Sequence, residues 1–599
     1  MQANPTLEQN TIAVLPFVNM SASEENEYFS DGITEEIINA LAKLKDLKVT
    51  SRTSAFYFKG KNIPISQIGN QLNVFYILEG SIRRSGNMIR ITAQLIEAKE
   101  DYHFWSETWD REWENIFDIQ DEISLNIADK LREQLGHFEI QDHLVSTQTK
   151  NLDAYDLSLK GRYYFNKWNP TDASKAIDLY TKALALDEQH TESMIGLADC
   201  YSFMAIAGFS PLKATWAKAI DLIHHAAQLN DKIPGVHYQL AHLYFFTQCN
   251  FGKSLFSLNQ ALELNPNYVE AHQFMSFFYL ISGNHSASLN HLKIALTLNP
   301  LSQETLFFMA YHHYMLEDYE KSIEILDRCI QENPINLPAH MIKWQCLIAQ
   351  GRCGEVLTKI DAYDKNLIVE GDVLGLKGLA NAIDNNLAET KTFIDQLIEY
   401  SEKEDGYRAS SYLVMIYANI GEADQAFHWL DISINNQYSL ILFHFSDPLL
   451  RPLRNDIRYK DYHKKLYTTS SFKRKKAEKK PIVSKSLLAS YSKKLLTHMT
   501  ANKPYLDPGL SLRSLAQQIN IHPNQLSYLL NESMEKNFNE FVNQYRLQAF
   551  KAAALDPQNQ HLNLMALAYD SGFNSKTVFN TYFKRHTGMT PKQYIQQMS

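Results

Sequence analysis

The sequence predicts a multidomain protein with three regions of different fold class. A small α/β domain stands at the amino end, an all-α superhelix of tandem helical repeats follows, and an all-α domain with two helix-turn-helix units occupies the carboxyl end. Three observations carry this prediction. Apolar and polar residues alternate along 89–94, Asn-Pro pairs recur every 34 residues, and two helix-turn-helix patterns stand about 50 residues apart near the carboxyl end.

Length and composition set the number of these regions. A chain of 599 residues, 45% of them hydrophobic, is globular, and at roughly 100–200 residues per domain it holds about three to five units. It has no uncharged apolar run long enough for a membrane helix, and residues 1–10 lack an apolar signal core. We therefore expect a cytoplasmic protein without a membrane partner. The predicted regions are an α/β domain at 10–135, a repeat array at 150–465, a basic linker at 468–486 and a helix-turn-helix domain at 487–599.

The first region mixes strand and helix signals. Ile89, Ile91 and Ala93 alternate with polar residues, which is the period of a half-buried strand. Ser85, Gly86 and Asn87 join this strand to the one before it, and Gly86 and Asn87 favour a hairpin because both tolerate a positive φ. The predicted strands cover 12–15, 74–84 and 88–97, and the predicted helix covers 33–44.

Six short segments of the first region carry a resemblance to a known domain. They are IAVLPF at 12–17, YFSDGITE at 28–35, RTS at 52–54, FKGK at 58–61, LEGS at 78–81 and DIQD at 118–121. With them, the region resembles the TolB-like amino-terminal domain that precedes repeat arrays in many bacterial signalling proteins. The resemblance implies the fold and a sensing or docking role, and it brings no defined ligand.

The middle region is helical and repetitive. Asn-Pro pairs begin at Asn265, Asn299 and Asn333, each 34 residues after the last. A period of this length, in which Asn-Pro ends the second helix, is the signature of the tetratricopeptide repeat (TPR). From the length of the region we expect about six to eight helix pairs, with an unidentified protein or peptide as their partner. A small residue recurs at the same step, at Ala227, Ala261, Ala295 and Cys329.

Charge is distributed unequally along the chain. The net charge is −9 overall, yet residues 487–599 carry +5 and residues 473–485 carry +6. A basic tail on an acidic body is typical of a DNA-binding end attached to a body that does not bind DNA. The linker is predicted to be a solvated spacer. The alternative is that its basic residues, Lys473, Arg474, Lys475 and Lys476, also contact DNA phosphates.

The last region holds two helix-turn-helix patterns. In the first, a break at Asn520 separates two apolar-faced helices, and Pro523 starts the second helix at a position where its missing N–H costs nothing. In the second, Gly572 stands in the turn, where a left-handed conformation is expected and only glycine avoids a steric penalty. The polar residues that face outward are Asn524, Gln525, Ser527 and Tyr528 in the first unit, and Ser575, Lys576, Thr577, Asn580, Thr581, Lys584 and Arg585 in the second.

The second unit contains the most diagnostic motifs. They are LxxLAxxxGF at 564–573, FxxxFK at 579–584 and GMTPxxY at 588–594. With them, residues 490–597 resemble the AraC family of bacterial transcription regulators. The first unit departs from the family pattern at two places. Glu535 or Lys536 stands where the family often has glycine in a turn, and Phe550 occupies a site that usually holds a small residue.

The resemblance implies a mechanism of DNA recognition. A connecting helix over 538–555 would hold the two recognition helices in successive major-groove segments, about 34 Å apart. The partners would be double-stranded promoter DNA and RNA polymerase. For each side chain named here, the alternative is an exposed residue that touches nothing. The expected base-reading residues are Asn524, Gln525, Tyr528, Lys576, Thr577, Asn580 and Thr581. The expected phosphate-holding residues are Ser527, Ser575, Lys584 and Arg585.

The sequence predicts no catalytic site, cofactor or metal. It lacks the phosphate-binding, nucleophile-elbow and zinc-protease motifs. The adjacent histidines at 224–225 and 312–313 point to different helix faces, which disfavours metal binding. The five cysteines form no CxxC pair, and we expect buried, reduced thiols. We therefore expect a non-enzymatic transcription regulator. One alternative is a TPR interaction scaffold whose DNA-binding domain is secondary or degenerate. Another is an enzyme, because the TolB-like domain can accompany nucleotide cyclases, although no cyclase domain is recognisable in this sequence.

Overall fold

The protein is described by a computed structural model that covers residues 9–21, 27–145, 148–166, 170–206, 209–364, 368–403, 406–467, 485–559 and 561–598. The chain divides into two compact units. The first comprises 1–43, 48–117 and 147–474, and the second comprises 44–47, 118–146 and 475–599. The basic residues 473–476 lie outside the described residues, so their contact with phosphates stays a prediction.

The amino-terminal part of the first unit is built on a mixed sheet. Its elements are β1 (Thr11–Val14), β2 (Val18–Asn19), α1 (Glu27–Ala42), β3 (Lys48–Val49), α2 (Arg52–Phe56), α3 (Ile65–Leu72), β4 (Tyr76–Ser85), β5 (Met88–Glu97) and β6 (Tyr102–Glu112). The strand order is β3-β1-β4-β5-β6, and β2 also pairs with β4. Strand β1 runs parallel to β3 and β4, whereas β4, β5 and β6 are antiparallel.

The hairpin between β4 and β5 follows the prediction except that Ser85, predicted in the connection, is the last residue of β4. Ser85 pairs with Met88, so the loop has two residues, and the alternating apolar residues of β5 are buried as expected. Gly86 has a φ of +59°, whereas Asn87 is not among the residues of positive φ. The turn thus uses a positive φ only at its first position, which is the type II′ pattern.

After the sheet come a short 3-10 helix (Trp113–Asn115) and α4 (Ile116–Leu135), which begins in the first unit and continues in the second. Eight consecutive helix pairs then follow in the described residues, in agreement with the expected six to eight. They are α5 (Leu152–Phe165) and α6 (Pro170–Leu186), α7 (Thr191–Ile206) and α8 (Leu212–Leu229), α9 (Pro234–Gln248) and α10 (Phe251–Leu264), α11 (Val269–Ile281) and α12 (His285–Leu298), α13 (Gln303–Met315) and α14 (Tyr319–Glu332), α15 (Leu337–Ala349) and α16 (Cys353–Ala362), α17 (Glu370–Ile383) and α18 (Leu387–Tyr400), and α19 (Tyr407–Asn419) and α20 (Ala423–Asn435). The region ends with α21 (Leu440–His444), a 3-10 helix (Pro448–Asn455) and α22 (Tyr459–Leu466).

The recurring Asn-Pro pairs end helices as predicted. Asn265, Asn299 and Asn333 are the carboxyl-terminal caps of α10, α12 and α14. The small residues four positions before these caps are fully buried. In α8, however, the buried small residue is Ala226, and Ala227 is half-buried. The 34-residue step fails there because the caps Asn230 and Asn265 stand 35 residues apart, which moves the buried position four residues before the cap from Ala227 to Ala226.

Two of these helix ends also contact the amino-terminal part of the same unit. The Asn267 side chain accepts a hydrogen bond from the backbone of Val49 (3.2 Å) and donates one to the carbonyl of Ala42 (2.8 Å). The Ser54 hydroxyl donates to the Asn299 side chain (2.6 Å). Because these groups are buried, their pairing fixes the sheet region and the repeats as one compact body.

The carboxyl-terminal residues of the second unit are all helical. Their elements are α23 (Lys485–Asn502), a 3-10 helix (Pro504–Leu506), α24 (Leu512–Gln518), α25 (Pro523–Met534), α26 (Phe538–Leu555), a 3-10 helix (Pro557–Asn559), α27 (Leu564–Asp570), α28 (Lys576–Thr587) and α29 (Pro591–Met598). The predicted fold class, a small α/β region, a TPR array and an all-α domain with two helix-turn-helix units, is therefore confirmed. Within the part of the chain that the structure describes, no helix is both long and apolar enough to cross a membrane.

Candidate nucleic-acid interface

The first helix-turn-helix unit consists of α24 and α25. Ser511 and Ser514 exchange capping hydrogen bonds at the start of α24. Asn520 adopts a left-handed conformation in the turn, with a φ of +51°, and Pro523 opens α25 in its first turn. The inward face of α25 is fully buried, as predicted, at Leu526, Leu529 and Leu530.

The second unit, α27 and α28, repeats this construction with a tighter turn. Gly572 has a φ of +93°, and a Cβ atom at this position would lie 2.1 Å from the backbone oxygen of Tyr505. Glycine is thus required both by the backbone conformation and by the close approach. Ser575 caps α28 by accepting a hydrogen bond from the backbone of Val578 (3.5 Å). The side chains of Phe579 and Phe583 are buried, as predicted.

The connecting helix α26 joins the two units and contains Phe550, one of the two departures from the family pattern. Phe550 is fully buried and lies edge-on against Phe579 and Phe583, with ring centroids 4.7 and 5.5 Å apart, so its larger volume fills the core of the second unit. Glu535, with a φ of +52°, takes the left-handed position that follows α25. The turn place often held by glycine therefore falls on Glu535 and not on Lys536.

A buried arginine of α26 supports the turn that approaches Gly572. The Arg546 guanidinium donates from Nε to the carbonyl of Tyr505 and from Nη2 to the carbonyl of Asp507, both at 2.8 Å. Burial lowers the pKa of Arg546 to about 10. Two charge-assisted hydrogen bonds to backbone oxygens offset the cost of burying this cation.

The polar side chains predicted on α28 are accessible. Asn580 is half-buried, and Ser575 serves as the helix cap. The guanidinium of Arg585 lies 3.6 Å from the Glu540 carboxylate but stays largely exposed. The remaining predicted residues are exposed, namely Lys576, Thr577, Thr581 and Lys584. Helix α28 therefore presents a polar, cationic face to solvent.

The polar side chains predicted on α25 are not exposed. Asn524, Gln525 and Tyr528 are half-buried, and Ser527 is only 1% exposed. The expectation of an outward Ser527 was wrong because this residue lies one turn before Leu530, at the edge of the buried face. Gln525 accepts a hydrogen bond from the backbone of His522 (3.3 Å), so its amide serves as part of the helix cap.

Residues 136–142 of the same unit lie along α25. The Asn524 amide accepts hydrogen bonds from Arg132 Nη1 (2.5 Å) and from the backbone N–H of Ile140 (3.3 Å), and it donates to the carbonyl of Ile140 (3.0 Å). The ring of His137 lies edge-on to Tyr528, with centroids 5.4 Å apart. The surface predicted to read DNA is therefore occupied by other residues of the chain.

The end of helix α4 carries buried charges that join it to α24. Asp129 accepts from Arg132 (2.5 Å) and from Arg513 (2.8 Å), and Glu133 accepts from the backbone N–H of Leu512 (2.8 Å) and from Lys130 (3.0 Å). Burial raises the pKa of Glu133 and lowers the pKa of Arg132. These groups tolerate burial because each has an oppositely charged or hydrogen-bonding partner.

Sequence reasoning missed this α4 contact, since it ended the first domain at 135 and gave residues 136–149 no role. A local signal does exist. Residues 129–142 contain four acids against two basic residues and a glycine directly after the helix. Such a segment complements a basic domain in charge, but it does not indicate which surface it contacts.

The structure offers no metal site in the residues it describes, since no group of three potential ligand side chains meets there. His312 is buried and hydrogen-bonded to Ser288 (3.1 Å), whereas His224 and His225 are exposed. Of the five cysteines, four are buried, Cys249 is half-buried, and none forms a disulfide.

Two family models match the chain, one at each end. The helix-turn-helix domain model matches residues 515–597, which include most of the geometry described above. The chain carries an AraC-type helix-turn-helix domain. The model of the HilA/YgeH-like transcriptional regulator second domain matches residues 8–126. This is the region with the TolB-like resemblance, which stays a prediction. Together the two matches support a DNA-binding transcription regulator.

A curated relative shares part of the sequence. It is named "Putative adenylate cyclase 3", from Rhizobium meliloti (strain 1021), and it is 35% identical over 239 residues. The match covers 39% of this chain and 39% of the relative, so the chain spans well under half of that relative's length. The name therefore does not transfer to this chain.

Solved TPR structures resemble parts of the chain at low similarity. A thermophilic TPR protein of Thermus thermophilus has 16% identity and a TM-score of 0.27, and the match covers 32% of this chain and 98% of that chain. A tetratricopeptide repeat protein from Parabacteroides merdae ATCC 43184 has 16% identity and a TM-score of 0.28, covering 51% and 100%. The repeat assignment rests on the helix pairs themselves.

Proposed function

We propose that the protein regulates transcription by reading promoter DNA in the cytoplasm with its two recognition helices, and that it acts without enzymatic chemistry. The observation that carries this proposal is the open, cationic polar face of α28 within a paired helix-turn-helix domain. Recognition helices of this kind read bases through side chains of their first turns, while neighbouring cations hold phosphates.

The side chains of α28 divide by position. Lys576 and Thr577 lie in the first turn, and Asn580 and Thr581 lie one turn later, so that all four would face base edges. Lysine donates to guanine, and asparagine pairs with adenine through both arms of its amide. Lys584 and Arg585 lie near the end of the helix, where they would meet phosphates, and Ser575 would contact a phosphate at the start.

On α25 we assign base reading to Asn524, Gln525 and Tyr528. For Asn524 and Tyr528 this depends on uncovering a surface that is occupied in this structure. For Gln525 it depends on release of the cap hydrogen bond from the backbone of His522. Ser527 is not proposed to contact a phosphate, because its side chain is buried.

We further propose that the sheet region and the TPR array act together as a sensing or docking module for a protein or peptide. The buried contacts of Asn267 and Asn299 with the sheet region support a single module. RNA polymerase is the proposed partner once promoter DNA is bound.

The first test is selection of duplex DNA from a random library by the full chain at several salt concentrations. We expect a preferred sequence whose affinity falls steeply with salt, because phosphate contacts release counterions. If no sequence is preferred at any salt concentration, the chain does not act as a specific regulator. Capture of a protein partner by the same preparation would then favour the TPR scaffold.

A pair of lysine variants tests the division of roles on α28. Lys576→Ala should change the preferred base at one position and cost about 1–3 kcal/mol on the original site, because a base contact is lost. Lys584→Ala should weaken all duplexes alike and reduce the salt slope by about 1. Both can be measured by fluorescence anisotropy on matched and mismatched duplexes. Equal behaviour of the two variants would contradict the assignment.

A further inference from the structure

Residues 129–142 contact the first helix-turn-helix unit, and no role has been assigned to this contact. The extended residues after α4 run along the recognition helix in the opposite direction. Gly136 lies at Asn531, His137 at Tyr528, Ile140 at Asn524 and Asp142 at His522. The contacts therefore follow the helix from its third turn back to its amino end.

The contact with Asn524 uses the groups that would read a base. The Ile140 N–H donates to the Asn524 oxygen, and the Ile140 carbonyl accepts from its nitrogen. An adenine edge offers the same pair, a donor at N6 and an acceptor at N7. Arg132 adds a second donor to the same oxygen. Asn524 cannot make these bonds and a base contact at the same time.

The anchoring contacts are ionic and hydrogen-bonded. Asp129 pairs with Arg513, Glu133 accepts from the backbone of Leu512, and the carbonyl of Gln134 accepts from Asn537 (3.0 Å). Carboxylates thus pair with a basic side chain and a backbone N–H at the start of α24. Groups of the same kind bind DNA phosphates. The major groove, about 12 Å wide, admits a helix but not a helix with a second chain segment over its amino end.

We propose that residues 129–142 are an intrachain competitor for DNA that masks the first recognition helix. The inference rests on the proposed function and specifies how it is regulated. In the masked state, only α28 engages DNA, and the chain reads one half-site. Release of residues 129–142 exposes α25, and the chain then reads two half-sites about one helical turn apart.

A charge reversal in α4 separates the two states without altering residues 485–598. Glu133→Lys places a cation against the Leu512 N–H and beside Lys130, so it should release the masking segment. Asp118→Lys makes a comparable reversal at an exposed position of the same helix and is the matched control. Arg132→Met is a milder second variant, since it removes the bond to Asn524 and the pairing with Asp129.

The experiment measures the DNA site that the full chain selects and its affinity for a duplex with both half-sites. We expect Glu133→Lys and Arg132→Met to select the longer site and to bind it about tenfold or more tightly than the unmodified chain, within the range usual for coupled sites. Asp118→Lys should match the unmodified chain. Hydrogen exchange should also show that adding the two-half-site duplex removes protection from the amides of 136–142.

The possible outcomes are distinguishable. If the unmodified chain already selects both half-sites and keeps 136–142 protected in the DNA complex, the masking inference is overturned and the proposed function stands. If none of the chains prefers any sequence, the proposed function fails and the inference fails with it. If a variant loses helix content by circular dichroism, the exchange measurement on the unmodified chain decides.

Discussion

The two recognition helices differ in what lies over their polar faces, although both are twelve residues long and both start at a capped turn. Helix α28 exposes Lys576 and Thr577, whereas α25 has Asn524 bonded to Arg132 and Ile140. A polar face read from helical periodicity is therefore a face turned away from the local core. Whether that polar face is accessible to DNA depends, for α25, on a segment almost four hundred residues earlier in the chain.

The turns of the two units differ as well. Asn520 and Gly572 both adopt a left-handed conformation between the helices of their unit. Gly572 also approaches another backbone so closely that a Cβ atom would overlap the oxygen of Tyr505. The same turn geometry thus tolerates a side chain in the first unit and excludes one in the second.

The largest effect is expected from Gly572→Ala. A methyl group would overlap the Tyr505 carbonyl, and the left-handed backbone adds about 1–2 kcal/mol, so we expect a loss of stability above about 3 kcal/mol. Hydrogen exchange across 538–598 in the full chain measures it. Gly588→Ala is the control. Its φ of +75° is equally unusual, but a Cβ atom at this position would have no atom of the surrounding structure within 4 Å. Its cost should stay near 1 kcal/mol. Similar costs for both would show that the approach to Tyr505 is unimportant.

A smaller effect is expected from Arg546→Met, which removes the support of the same turn. The carbonyls of Tyr505 and Asp507 would lose their donors, and burying them unpaired should cost about 2–3 kcal/mol. The exchange of α26 and α27 amides reports the change. Lys592→Met removes an exposed cation and should stay within about 0.5 kcal/mol. If Arg546→Met is as mild as this control, the two units do not depend on the arginine.

The smallest effect is expected from Glu535→Gly. Glycine adopts the left-handed conformation without a Cβ penalty, so the first unit should gain about 0.5–1 kcal/mol. Asn520→Gly should gain less, because asparagine tolerates this conformation better than glutamate. Exchange of α25 amides in the full chain compares them. A larger gain for Asn520→Gly would contradict this account of the first unit.

Much of the fold follows from local sequence. The alternation of Ile89, Ile91 and Ala93 defines a strand face, the Asn-Pro period defines helix ends, and Pro523 and Gly572 define the helix-turn-helix turns. These features depend on backbone sterics and on periodicities of 2 and 3.6 residues, which neighbouring residues determine. The predicted step failed at Ala227, because one additional residue between successive helix caps moves the buried position to Ala226.

The sequence by itself therefore determined the three fold classes, the two helix-turn-helix units and the polar residues of α28. Only the tertiary structure decided that Ser527 is buried and that Asn524 is already bonded to Ile140. The physical reason is that a hydrogen bond between residues 384 positions apart produces no periodic pattern in the sequence of either segment. It exists because buried donors and acceptors must find partners in space, wherever the chain brings them.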